Sequence, residues 1–72
     1  MKKMIRIYDS VLLGKNFLSF SADAVVVRDY SEETEKVLRK QYNKWAEFWK
    51  VQYLLEVVDE KENLLYFEKI KF

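Results

Sequence analysis

The chain contains no cysteine, no histidine and no proline, and only one glycine. Each absence removes a class of function. Without cysteine there is neither a disulfide nor a thiol nucleophile. Without histidine as well, an imidazole base, a Ser-His arrangement and an ordinary zinc site are excluded. A single glycine, Gly14, cannot supply a Walker-type, dinucleotide-type or KH-type phosphate loop. The apolar runs Ala24–Val27 and Leu64–Phe67 are four residues each, whereas a helix spanning a membrane needs about 20. Met1-Lys2-Lys3 resembles the charged start of a signal peptide, but Arg6 and Asp9 interrupt the apolar segment that should follow. The expectation is a cytoplasmic protein with no membrane partner, no cofactor, no metal and no small-molecule substrate.

What is present suits one small domain. Of the 72 residues, 50% are hydrophobic and 17% aromatic, which argues against intrinsic disorder. A chain of this length buries only about 60% of its unfolded surface, so its core has little margin and self-association is a natural supplement. Thirteen basic residues stand against twelve acidic ones, for a net charge of +1. That balance gives no global attraction to nucleic acid, so recognition must come from local patches. Lysine outnumbers arginine, and Ile, Tyr, Phe, Asn and Glu are well used. Such usage reads as the codon bias of an AT-rich genome, compatible with a phage, a plasmid or a low-GC host.

Periodicity predicts an α+β fold in the order ββ(β)αββ, an antiparallel sheet of four to five strands with one amphipathic helix on one face. Residues 4–13 alternate as a first strand, with Ile5, Ile7, Val11 and Leu13 on one side and a bulge or local end expected at Asp9. Gly14-Lys15-Asn16 suits a hairpin loop. Phe17–Phe20 returns, and Ala24–Arg28 continues it or forms a third strand, with Ser21-Ala22-Asp23 as the doubtful point. Ser31 is a good N-cap for a helix over about residues 32–50, and Glu32, Glu33 and Glu35 lie at the positive end of its dipole. Val37, Leu38, Tyr42, Trp45, Phe48 and Trp49 fall on one side of the helical wheel and are expected to form its buried stripe. Residues 51–58 and 64–72 read as a final hairpin around the polar loop Asp59–Asn63.

No catalytic constellation emerges. The acids sit at the helix N-terminus, in the 59–62 loop and at isolated strand positions, and neighbouring helical acids point in different directions. Two surfaces remain as candidates. A sheet covered by one helix should alternate polar and apolar residues, yet apolar groups occupy both faces here. Met4, Tyr8, Val25, Val27, Leu54, Leu65 and Phe67 are therefore expected to meet a partner protein or a second copy of the chain, unless the sheet curls to bury them. The second surface is the basic side of the helix, Lys36, Arg39, Lys40, Lys44 and Lys50. Its ordinary role is a solvated face. Its functional role would be contact with phosphates or an acidic protein, and nucleic acid is the less favoured partner. The expected function is a small non-catalytic protein–protein interaction module, such as an accessory or inhibitory protein acting on a host factor. The alternative is a nucleic-acid-binding regulator.

Overall fold

The computed structural model describes residues 2–13 and 17–71. Strand β1 spans Lys3–Leu13, β2 Phe17–Phe20 and β3 Val26–Asp29, followed by helix α1, Glu32–Trp49, and strands β4, Tyr53–Asp59, and β5, Leu64–Ile70. All pairings are antiparallel, in the order β2-β1-β4-β5, with β3 also paired to β1. This is the α+β arrangement that the sequence predicts. The hairpin loop assigned to residues 14–16 lies outside the described residues.

The break expected at Asp9 occurs instead in the neighbouring strand. β1 runs through Asp9 in unbroken register with β4, pairing Asp9 with Tyr53. On its other edge, β3 pairs with Met4–Ile7 and β2 with Ser10–Leu13. Between them the chain bends away at 22–25 and is pinned by Val25 N–H on the Ile7 carbonyl at 2.7 Å and Ser21 N–H on the Asp9 carbonyl at 2.9 Å. A local polar residue therefore marked an interruption that the partner strand absorbed.

Strand alternation sorts the residues into two faces. Toward the helix lie Ile5 and Ile7 of β1, Leu55 and Val57 of β4, and Ile70 of β5, all buried. Leu38 and Ala46 of α1 close onto them, with Val26, Tyr30, Tyr42 and Val51 packed around the rim. Tyr42 meets Tyr53 edge-on, with centroids 4.8 Å apart, and burial raises the pKa of both phenols above the ordinary value.

The helix ends as its sequence dictates. Ser31 Oγ accepts the Thr34 N–H at 3.0 Å, satisfying one of the unpaired donors of the first turn. Lys50 closes the other end in the left-handed region at φ 56°, and Val51 N–H donates to the Ala46 carbonyl at 3.1 Å. In the last hairpin, one carboxylate oxygen of Asp59 accepts the backbone N–H groups of Lys61 at 2.8 Å and Asn63 at 2.9 Å. Those bonds hold the Asp59 pKa below the ordinary value, the Asn63 N–H contributing most.

Candidate functional site

The wheel assigned Trp45, Phe48 and Trp49 to the core, and that assignment is overturned. Phe48 is 70% exposed, Trp49 59% and Val37 57%. Leu38 and Tyr42 of the predicted stripe do face the sheet, and Glu35, Arg39 and Ala46 join them, so the buried side is turned part-way round the wheel from Trp45 and Phe48.

A polar network on the helix-facing side explains the rotation. The β4–β5 register places Tyr66 opposite Val57 and Glu68 opposite Leu55, so both β5 residues sit at the border of the core beneath α1. Arg39 Nε donates to Glu35 Oε2 at 2.7 Å, and its Nη1 donates to the Glu68 carboxylate. Glu35 Oε1 accepts the Tyr30 hydroxyl at 2.8 Å and also the Tyr66 hydroxyl. With Tyr66 the largest cause, followed by Arg39 and Tyr30, these donors pull the Glu35 pKa below the ordinary value against the opposing effect of burial. The same contacts, after burial, push the Tyr66 pKa far upward. Every member of the group has a partner, which makes it a fastener between helix and sheet.

Anchoring Glu35 and Arg39 over β5 brings Leu38, Tyr42 and Ala46 down onto the sheet. Trp45 and Phe48 are then left on the outer flank of α1. There the aromatic rings pack on one another. Phe48 and Trp49 meet edge-on with centroids 4.7 Å apart, while Trp45 and Trp49 lie with planes within 16° and centroids 6.3 Å apart. An open groove of about 720 Å³ runs beside this ridge, lined by Gln41, Lys44, Trp45, Glu47, Phe48 and Lys50.

The basic residues separate into two groups. Arg39 is engaged by Glu35 and Glu68. Lys36, Lys40 and Lys44 are exposed and, among the described residues, form no ion pair. Glu35 and Arg39 pair along the helix at i, i+4, whereas Glu32 and Lys36, at the same spacing, form no ion pair among the described residues. Lys50 is the helix cap and lines the groove.

On the outer face of the sheet, register and alternation bring Met4, Tyr8, Val27, Leu54 and Phe67 together. One cross-strand row reads Val27, Arg6, Glu56, Phe67. Its centre is an ion pair, with Arg6 Nη2 2.8 Å from Glu56 Oε1, and Glu62 approaches the same guanidinium at 3.3 Å. The Arg6 guanidinium also lies 5.9 Å from the Tyr8 ring centroid. Met4, Tyr8 and Leu54 are half-buried and Val58 is buried, so among the described residues the exposed apolar groups of this face are Val27, Phe67 and Leu64, the partner of Val58. Val25 lies in the bend before β3 and is exposed. Leu65 is displaced from the predicted alternation, because the register passes from Val57↔Tyr66 to Val58↔Leu64 and skips it.

Among the described residues, no group of three or more His, Cys, Asp or Glu side chains could hold a metal ion, and no helix is long and apolar enough to cross a membrane. No protein-family model matches the chain, and neither curated proteins nor solved structures give a significant match.

Proposed function

We propose that this chain acts by binding protein, as a small non-catalytic interaction module. The observation that carries the reading is the aromatic ridge. Trp45, Phe48 and Trp49 are among the largest apolar side chains of the molecule, and they are packed on one another at the surface while smaller residues fill the core. Exposed clusters of large apolar groups mark contact surfaces, and tryptophan is over-represented where binding energy concentrates. Val27 and Phe67 add a second, smaller apolar surface on the outer face of the sheet, and a second copy of the chain is the first partner to test there. The proposed setting is the cytoplasm, with a host factor of a phage- or plasmid-bearing cell as the further partner.

Light scattering over a range of concentrations tests self-association. The expected mass exceeds the 8.8 kDa of one chain and collapses to it in Phe67→Asp. Retention of cellular proteins on immobilised chain, compared with Phe48→Asp and Phe67→Asp, tests the wider reading. A strict monomer that retains no more protein than Phe48→Asp or Phe67→Asp does would refute it.

The lysine row supports a second reading, a small nucleic-acid-binding regulator, because Lys36, Lys40 and Lys44 find no counter-charge among the described residues. Such binding must weaken steeply with salt, with a slope set by the number of phosphates contacted. It must also vanish in Lys40→Glu/Lys44→Glu.

A further inference from the structure

Resting on the protein-binding reading, we infer that the outer flank of α1 is a docking seam for an acidic amphipathic helix of another protein. Val37, Gln41, Trp45 and Phe48 are spaced i, i+4, i+8, i+11 and are all exposed. That is the spacing of a helix–helix contact, repeated on a helix whose first apolar stripe is already used against its own sheet. The groove beside Trp45 and Phe48 gives the seam a depression that an apolar side chain of the partner can enter.

The charge of the partner follows from the lysines. Lys36, Lys40 and Lys44 run parallel to the seam at intervals of four residues, about 6 Å of helix rise. Like charges at this spacing cost an isolated helix a few tenths of a kcal/mol per pair, and among the described residues none of the three lysines is held in an ion pair. Carboxylates at the same interval along the edge of a partner helix would match them one for one. A second copy of this chain does not fit here. Antiparallel packing about a two-fold axis near Gln41 would bring the Lys40 and Lys44 rows of both copies alongside each other.

The ring arrangement favours protein over nucleic acid. Bases stack on flat ring faces set out one after another, whereas Phe48 stands edge-on to both Trp45 and Trp49 and breaks any such platform. The ridge presents an apolar knob that fits a socket between side chains.

The test is selection of helix-forming peptides from a displayed random library against the immobilised chain. The retained pool should combine Asp and Glu with large apolar residues at helical spacing. Its synthetic members should lose at least about tenfold in affinity to Lys40→Glu/Lys44→Glu and to Phe48→Ala, and should weaken as salt rises. Both variants alter exposed side chains, and a native circular dichroism spectrum with a cooperative unfolding transition shows that they fold. A pool without acidic bias, or affinity indifferent to the lysine reversals, overturns the inference. So does binding of fluorescent oligothymidylate or of phosphatidylglycerol vesicles through these same residues. Peptides that bind the sheet instead would sink this docking seam while leaving the interaction-module reading intact.

Discussion

Arg6 and Glu56 face each other across the β1–β4 ladder, Nε to Oε1 at 3.0 Å, at the centre of the sheet face that the helix leaves uncovered. Both side chains are largely withdrawn from water, with exposures of 22% and 15%. The pair holds polar ground between Val27 and Phe67, which divides what would otherwise be one continuous apolar strip.

Removing one partner should therefore cost more than removing both. Arg6→Ala leaves a partly desolvated carboxylate and is expected to lower stability by about 1–3 kcal/mol in urea unfolding. Arg6→Met/Glu56→Leu should recover most of that loss and increase self-association, seen as a higher mass in light scattering. Equal losses for the single and double variants would show that the pair does not act as a unit.

Glu35 gives the molecule a defined acid response. Its folded-state pKa lies below the ordinary value of 4.5. The stabilisation it provides is therefore complete above that ordinary value and is lost as pH falls through the folded value. Carboxyl ¹³C titration should place Glu35 below the ordinary value of 4.5, and Tyr66→Phe should raise it more than Tyr30→Phe. Glu35→Gln should flatten the fall in stability below pH 4.5. An ordinary titration of Glu35 in the native protein would refute the network.

The rotation of the helix makes an unusual ranking of mutations. Phe48→Ala is expected to cost no more than about 1 kcal/mol, the worth of its ring contacts, and not the ~3–5 kcal/mol of a core aromatic. Leu38→Ala, though a smaller truncation, should cost about 2–5 kcal/mol. Ala46→Leu should destabilise by about 1–3 kcal/mol through overpacking, because Ala46 is fully buried in the core cluster between helix and sheet. Thermal unfolding of the three variants checks the order. A reversed ranking of Phe48→Ala and Leu38→Ala would place the aromatics in the core after all.

Local chemistry accounts for much of what the sequence foretells. Alternation in Lys3–Leu13 and the final hairpin, the Ser31 cap and the polar Asp59–Asn63 loop all act within a few residues, and the elements form close to where those signals stand. Strand alternation also places Met4, Tyr8, Val27, Leu54 and Phe67 on one face, because the side-chain period of a strand is fixed. Leu65 escapes that rule through a register shift, which depends on how β4 and β5 pair and not on either strand alone.

The exposed aromatic ridge was not legible in the sequence for a similar reason. Counting large apolar residues around a helical wheel points to Trp45 and Phe48 as core. The orientation is set instead by Tyr66 on Glu35 and Arg39 on Glu68, contacts separated by 31 and 29 residues. The small Ala46 is fully buried against the sheet residues, and wheel patterning gives it little weight. By itself, the sequence excluded whole classes of chemistry through the groups it lacks and determined which segments become helix and strand. Tertiary structure decided which side of the helix meets the sheet, because charged and phenolic groups distant in the chain bind each other more specifically than apolar surface selects its neighbours.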